Sequence, residues 1–170
     1  KLELSLKEAQ NYLADLPLMV YMDLKVVNQD LEIMTESMVK SQSHHANTEL
    51  VQELTENTVT GGVAMINHAL AEMWQETDDI LMHDWYLALL ASAFGNLVFI
   101  DQPGELYRQH SDNVLGARTL SKRFKKWIRP HILFAVYWDL IKNSQKQARH
   151  LLQMPLSQSN RELIEAFVTI

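Results

Sequence analysis

The apolar residues of the chain follow two spacings, one helical and one typical of strands. The opening segment predicts an amphipathic helix that Pro17 ends, with its apolar positions at Leu2, Leu6, Leu13 and Leu16. The run LMVYMDLKVV at 18–27 is rich in Val, Met and Tyr and predicts a strand. Turn residues at 28–30 then lead into a returning segment that ends near residue 36.

The middle of the chain alternates polar loops with short elements. Residues 37–58 are polar and predict a loop that contains a short helix near 48–54. A Thr-Gly-Gly sequence at 60–62 interrupts the pattern, and a short strand then runs into a helix that starts near Asn67.

The segment HDWYLALLASAF at 83–94 is apolar on nearly every face, which predicts a buried helix that stops at Gly95. The following LVFI predicts a short strand inside the core. Pro103 and Gly104 then predict a turn that leads to ELYRQH.

The last third of the chain is predicted to be helical. One helical pattern occupies 120–152 with an interruption at Pro130, and a final short helix is predicted at 160–168. This order of elements predicts an α/β fold class, in which a mixed sheet with short strands is followed by a helical C-terminal extension.

Length and composition narrow the class of protein. The chain has 170 residues, 47% of them hydrophobic, which suits one domain with a substantial core. It has no cysteine, which excludes a disulfide-stapled scaffold and a zinc module built on thiolates. Because Lys1 already lies in a helical pattern, we expect the chain to be part of a longer protein.

Charge is distributed unevenly. Residues 1–116 hold 5 basic and 18 acidic residues, whereas residues 117–150 hold 9 basic residues and one acidic residue. Six basic residues alternate with Leu, Phe, Trp and Ile, namely Arg118, Lys122, Arg123, Lys125, Lys126 and Arg129. This pattern is open to two interpretations, a solvated helix face or an amphipathic helix at 118–129 that binds an anionic membrane surface. Nucleic acid is not an expected partner, because no groove-reading or base-stacking motif accompanies the basic residues.

Asp84 is a candidate for chemistry because it stands at the start of the predicted buried helix, between His83 and Trp85. A carboxylate there complements the helix dipole, and it is also held well enough to take a proton from a hydroxyl group. Adjacent helical residues point about 100° apart, so His83 and Asp84 cannot share one task. A metallohydrolase built on His83, Asp84 and His110 would lack the dense ligand spacing of known motifs.

Three more clusters lie next to predicted strands, as ligand sites of α/β proteins do. Asp23 falls near a strand end, and the glycines at 61–62 predict either a turn or a close approach of a ligand to the backbone. Arg108 and His110 lie two residues apart and would share one face of an extended segment. A guanidinium beside an imidazole suits a diphosphate with a divalent ion, although His110 taken alone is more typical of a surface histidine.

Taken in order, these clusters resemble family 2 glycosyltransferases of the bacterial cell-surface type, notably the rhamnosyltransferase-like group. The resemblance rests on NTVTGGVAMINHALAEMW and MHDWYLALLASAFGNLVFIDQPGELYRQHSDNVLGA, with VYMDLKVVNQDLEIMTESM upstream. It implies that residues 1–117 are the acceptor-side half of a GT-A glycosyltransferase domain. Beyond residue 118 it fades, which leaves 118–170 as a helical, basic C-terminal extension.

The resemblance implies a role for each matching residue. The family's His-Asp-Trp-Trp motif falls on 83–86 and makes Asp84 the catalytic base. The expected substrate-binding residues are Thr60, Gly61, Gly62, His83, Trp85, Arg108 and Gln109, with His110 near a metal and the diphosphate. Tyr86 stands where the family has Trp, and Gly62 where it has Cys or Ala.

In this family a nucleotide-binding half with a short Asp-rich motif comes before the residues that match Lys1. The resemblance therefore implies a fragment that is inactive alone. The whole enzyme would transfer a sugar, with rhamnose a candidate, from a nucleotide-diphospho-sugar donor to a cell-surface glycan or lipid-linked acceptor. It would use a single inverting displacement and a divalent metal, Mg or Mn.

Such an enzyme is expected in the cytoplasm, at or near the inner face of the cell membrane. A half-sheet with an exposed edge could also pair with a second copy as a homodimer. The alternative from another class is a non-catalytic helical interaction or membrane-docking module that has kept a transferase-like core.

Overall fold

A ten-residue strand, β1 (Leu18–Val27), forms the centre of the fold. The computed structural model describes residues 1–75, 78–109 and 130–170, with the backbone alone for 130–136. β1 is buried along almost its whole length, because its apolar and β-branched residues pack on both faces. The strand predicted at 18–27 is confirmed.

β1 pairs with three other strands in a mixed sheet. The short strands β2 (Ile33–Thr35) and β3 (Ala64–Ile66) are antiparallel to it, and β4 (Asn96–Arg108) is parallel to it. The residues of β1 that pair with β2 and β3 also pair with β4, so β2 and β3 share the side opposite β4. With the helices described below, this sheet confirms a mixed α/β fold.

The turn predicted at Pro103 and Gly104 is wrong, because both residues lie inside β4, which continues to Arg108. The pairing register shifts on either side of Asp23, which lies opposite Pro103. Among the described strands β4 pairs with β1 alone, and proline is tolerated in edge strands and bulges. Gly104 fits here because a Cβ would lie 3.1 Å from the sulfur of Met22.

Four short helices accompany the sheet. They are α1 (Leu2–Ala9), α2 (Met38–Gln42), α3 (Leu50–Glu53) and α4 (His68–Ala71). α3 confirms the helix predicted near 48–54, and Asn67 caps α4 at its predicted start. α2 forms where the sequence predicts a loop, because the Ser37 hydroxyl accepts a hydrogen bond from the Lys40 amide and caps the helix.

The opening helix is shorter and more exposed than the sequence predicts. α1 ends at Ala9, well before Pro17, and Ser5 is its one buried residue. The leucines of the predicted apolar face are exposed instead, Leu2 by 61% and Leu13 by 66%. They remain exposed because no element of the described chain covers them.

The helix α5 (His83–Phe94) lies in the main core, as its apolar sequence predicts. Its buried residues are Trp85, Tyr86, Ala88, Leu89, Leu90, Ala91 and Ala93. It ends at Gly95, where a Cβ would collide with the carbonyl oxygen of Pro17. Glycine is therefore required where α5 turns into β4.

Two C-terminal helices, α6 (Pro130–Leu151) and α7 (Gln158–Thr169), complete the described chain. α6 confirms the part of the predicted helical pattern that lies within the described residues, and α7 confirms the last predicted helix; the pattern before Pro130 lies outside them. Both helices contribute to the core built on β1 and α5, through Ala148, Leu151, Ile164 and Phe167. The C-terminal helices therefore share the core of the sheet.

Two predictions about membranes have different outcomes. The basic segment 118–129, proposed to bind an anionic surface, lies outside the described residues. Among the helices that are described, none has the length and apolar character needed to cross a bilayer.

Candidate functional site

A cleft of about 210 Å³ opens beside the middle of β1, at Met22, Asp23 and Leu24. Its walls come from β1, α2, the loop 54–60, the start of α5, Tyr107 on β4 and Leu140 on α6. Its apolar lining includes Met22, Leu24, Met38, Val59, Met82 and Tyr107, and its polar lining includes Gln42, Glu56, Asn57, Thr58, Thr60 and Asp84. We call it the Asp84 cleft.

Asp84 is the second residue of α5, and its carboxylate is held by backbone groups. One oxygen accepts a hydrogen bond from the Gly61 amide at 3.1 Å, and the other accepts from the Trp85 amide at 2.8 Å. The Asn57 side chain donates weakly to the same group at 3.5 Å. Asp84 is half-buried and lines the cleft, so it complements the dipole at the start of α5 and also presents a carboxylate to a ligand.

The two glycines behave differently. Gly61 begins a single 3-10 turn, Gly61–Val63, and a Cβ on it would lie 3.0 Å from the His83 ring and 3.6 Å from the Asp84 Cβ. A Cβ on Gly62 would meet nothing within 4 Å. The sequence suggested a close approach of a ligand to these glycines; in the structure the start of α5 approaches Gly61, and a Cβ there would force the His83 ring to shift.

His83 and Trp85 flank Asp84 but lie in different environments. His83 is exposed, and it is not among the residues that line the Asp84 cleft. Trp85 is fully buried, and its indole N–H donates to the Glu53 carbonyl at 2.6 Å. Trp85 therefore supports the wall of the cleft from inside the core, and of the three residues Asp84 is the one with accessible polar atoms in the cleft.

The Tyr-Arg-Gln segment forms the end of β4. Tyr107 lines the Asp84 cleft, and Arg108 lies opposite Val27, where β1 ends. Arg108 is exposed and Gln109 is half-buried, and neither lines the cleft. His110, the predicted metal-binding residue, lies outside the described residues.

The structure thus brings Thr60, Gly61 and Asp84 together at one cleft. Gly62 lies next to them, and its carbonyl accepts a hydrogen bond from Lys1 at 2.8 Å. Arg108 and Gln109 end up at the edge of the sheet, beyond Tyr107.

Asp23 is buried, and its hydrogen bonds give it a structural role. It is 3% exposed, and one of its oxygens accepts hydrogen bonds from the amides of Leu24 and Val39 at 2.7 and 3.1 Å. Its other oxygen accepts from the Ser37 hydroxyl at 2.5 Å. These contacts tie α2 to β1, and they occupy the carboxylate that the sequence marked as a candidate for chemistry.

A second buried carboxyl group, Glu53, belongs to a polar cluster behind the cleft. Glu53 is fully buried at the end of α3, and neither oxygen has a hydrogen bond of regular geometry among the described residues. Burial raises its pKa to about 8, and the nearby Asn47 side chain and Thr58 backbone offset this only in part. The charges of Asp84 and Glu56 contribute the rest of this increase in the pKa.

Sequence reasoning missed Glu53 and its neighbours. The Tyr21 hydroxyl donates to the Asn47 carbonyl at 2.7 Å and lies 3.0 Å from the Thr58 hydroxyl, so a strand residue and two loops meet there. One signal was present, because Glu53 follows Leu50 by three residues and precedes Leu54, which places it on the apolar face of a helix.

A divalent metal is not accounted for by the described side chains. Within residues 1–75, 78–109 and 130–170, no group of three or more His, Asp or Glu side chains could hold a metal ion. We therefore assign no step of chemistry to a metal at the Asp84 cleft.

Comparisons with protein-family models, curated proteins and solved structures found no significant match.

Proposed function

We propose that the chain is the acceptor-side part of an inverting family 2 glycosyltransferase with a GT-A fold, and that Asp84 is its catalytic base. In this proposal a sugar, with rhamnose a candidate, moves from a nucleotide-diphospho-sugar to a cell-surface glycan or lipid-linked acceptor. The sequence resemblance suggests the class of reaction, and the geometry at Asp84 supplies the physical argument.

The observation that carries the proposal is the way Asp84 is held. Its two oxygens accept backbone hydrogen bonds from Gly61 and Trp85, which belong to a short turn and to a buried helix. A carboxylate oxygen has two lone pairs, so the oxygen that accepts from the Gly61 amide can still accept a hydrogen bond from a ligand in the cleft. A rigid acceptor at the wall of a cleft is what proton abstraction from a hydroxyl group requires.

The proposed step is a single displacement at the anomeric carbon. The acceptor hydroxyl gives its proton to Asp84 as its oxygen forms the new glycosidic bond, and the nucleoside diphosphate leaves with the electron pair of the broken bond. A positioned base of this kind contributes about 10² to 10⁴ in rate. Arg108, exposed at the carboxyl end of β4, is the described cation we assign to the leaving diphosphate.

The sheet is compatible with a GT-A fold. β1 and β4 are parallel, while β2 and β3 are antiparallel to β1, and the Asp84 cleft is lined by Tyr107, one residue before the carboxyl end of β4. Ligands of open α/β sheets bind at the carboxyl ends of parallel strands. This position supports the assignment of the cleft to substrate.

The donor site is proposed to lie in another part of a longer protein. The exposed leucines at positions 2, 4, 6, 13 and 16 favour this, because such an apolar surface is usually covered by a further domain or partner. The proposed metal, Mg or Mn, would then be bound by residues outside those described, with His110 as a candidate. The basic segment 118–129 is proposed to hold the enzyme peripherally at the cytoplasmic face of the membrane.

The test is Asp84→Asn in the full-length protein, assayed for transfer from nucleotide-sugars and for donor binding. We expect transfer to fall by at least about 10²-fold while donor binding persists. Asp101→Asn is the matched control, because Asp101 is exposed on β4 and does not line the cleft. Near-normal transfer by Asp84→Asn would overturn the proposal.

One observation favours a second function, a non-catalytic interaction module. The leucine surface of residues 2–16 is suited to binding another protein, whether or not the Asp84 cleft acts on a substrate. Two results together would favour this alternative. The full-length protein would bind a partner but no nucleotide-sugar, and Leu6→Glu and Leu13→Glu would abolish the binding of that partner.

A further inference from the structure

One face of α6 makes polar contacts with two loops beside the Asp84 cleft. The Ser144 hydroxyl donates to the Leu54 carbonyl at 2.6 Å, and the Gln147 side-chain oxygen accepts from the Leu81 amide at 3.0 Å. One turn further along, the His150 ring lies 3.2 Å from the Asp79 carboxylate. These α6 residues are spaced by three, so they share one face of the helix.

The α6 side chains of the first two contacts are fully buried, although Leu81, the partner of Gln147, is itself exposed. Ser144 and Gln147 are both 0% exposed, and a buried hydrogen bond that is broken leaves a polar group without solvent. The amide orientation of Gln147 is fixed, because only its oxygen can accept from the Leu81 amide. One turn before Ser144, Leu140 lines the cleft itself.

One contact lies close to the candidate base in sequence, and the other is linked to it through Trp85. Leu81 immediately precedes Met82, the N-cap of α5, and so lies three residues before Asp84. Leu54 follows Glu53, whose carbonyl accepts the Trp85 indole N–H. α6 thereby holds the start of α5 on one side and the loop 54–60 on the other.

We propose that Gln147 and Ser144 are positioning residues, which fix Asp84 relative to Gly61 by holding the two loops that border the Asp84 cleft. The catalytic consequence rests on the proposed function, whereas the structural coupling does not. α6 would then help to form the site, although the resemblance implies that it belongs to an extension outside the catalytic half.

The chain offers a matched control for Gln147. Gln145 lies two residues earlier on α6, is 8% exposed, and donates to the Phe167 carbonyl on α7 at 2.8 Å. Gln147→Met and Gln145→Met each replace a buried amide with an apolar side chain of similar length. The first substitution removes a contact to the loop before Asp84, and the second removes a contact to α7.

The experiment uses the isotope-labelled 170-residue chain and follows backbone amides by NMR. In Gln147→Met we expect amide exchange at Leu81 to rise about tenfold, as loss of one buried hydrogen bond implies. We also expect shifts of the Gly61 and Trp85 amide resonances, which report their hydrogen bonds to Asp84. Gln145→Met should leave these three amides unchanged.

Unmoved Gly61 and Trp85 resonances in Gln147→Met, or equal shifts in Gln145→Met, would overturn the proposal. If Gln147→Met does not fold, Ser144→Ala reports through the Trp85 indole resonance, and an unmoved indole there has the same meaning. In the full-length enzyme, Gln147→Met should lower kcat with the donor KM unchanged. Because the NMR result needs no activity, failure of the proposed function and failure of the positioning role are distinguishable.

Discussion

The two buried carboxyl groups near the Asp84 cleft, Asp23 and Glu53, have opposite surroundings. Asp23 is 3% exposed and accepts hydrogen bonds from two backbone amides and the Ser37 hydroxyl. Glu53 is 0% exposed, has no hydrogen bond of regular geometry to its oxygens among the described residues, and has a pKa raised to about 8. The two carboxyl groups are therefore similarly buried, but they differ greatly in the hydrogen bonds that replace those lost from water.

The difference shows that hydrogen-bond donors, more than depth, decide how a buried carboxyl group is tolerated here. A carboxylate that receives several donors can stay ionised in the interior, whereas one without them is better accommodated as a neutral acid. Asp84 lies between these cases, half-buried and held by the Gly61 and Trp85 amides. Such an intermediate position leaves it accessible to a ligand.

The largest effect is expected from Asp23→Ala. This change leaves the Val39 amide and the Ser37 hydroxyl without their acceptor and separates α2 from β1. We expect the free energy of unfolding to fall by about 3 kcal/mol or more, measured by urea denaturation. Asp101→Ala is the control, since Asp101 is exposed, and a loss as small as that of the control would contradict the structural role of Asp23.

Glu53→Gln tests the other side of the comparison through its pH dependence. The folded-state pKa of about 8 lies above the ordinary value of 4.5. The loss of folding stability that is linked to the ionisation of Glu53 is therefore absent below pH 4.5. This loss grows as the pH rises toward 8, and it is constant above pH 8. We expect Glu53→Gln to increase stability by about 2 kcal/mol at pH 9 and to change it little at pH 4.

The readout for this variant is urea denaturation at several pH values. Glu56→Gln, three residues later and half-buried, is the comparison variant: it removes one of the charges that raise the Glu53 pKa, so it should weaken the pH dependence only slightly. A Glu53→Gln curve parallel to that of the wild type would show that Glu53 is ionised in the fold at neutral pH.

Local sequence signals predicted the elements of this fold well. β1, α3, α5 and α7 were predicted from apolar spacing and propensity, and Asn67 was recognised as a helix start. The turn at Pro103 and Gly104 failed because a strand at the edge of the described sheet, with shifted register, tolerates residues that end an ordinary strand. Whether a strand continues through such residues depends on the strand it pairs with, and that strand is distant in sequence.

The candidate site was predictable only in part for the same reason. Asp84 and the glycine turn were found from their positions beside predicted elements, and the structure brings them into contact. The roles of Asp23 and Gln147 depend on a donor 14 positions away and a donor 66 positions away, and the role of Glu53 depends on the loops that bury it. The exposed leucines of α1 show the converse, since helical spacing indicates an apolar face without indicating what covers it.

Gly61→Ala tests how the half-buried Asp84 carboxylate is held at the start of α5. A Cβ at this position would lie 3.0 Å from the His83 ring and 3.6 Å from the Asp84 Cβ. We expect a loss of about 1 kcal/mol in unfolding free energy and a displaced Trp85 amide resonance. Gly62→Ala is the matched control, because its Cβ has free space and should change stability by less than about 0.5 kcal/mol. Equal effects of the two substitutions would mean that α5 does not pack on Gly61.

The smallest effect is expected from Lys40→Ala, which removes a surface ion pair from the helix that Asp23 holds. Lys40 lies 2.9 Å from Asp101, but the two side chains are 61% and 62% exposed. Water and salt screen such a pair, so we expect a loss of about 0.5 kcal/mol or less in urea denaturation. The double variant with Asp101→Ala should show a coupling no larger than this. A loss comparable to that of Asp23→Ala would mean that the surface pair, and not the buried carboxylate, ties α2 to the sheet.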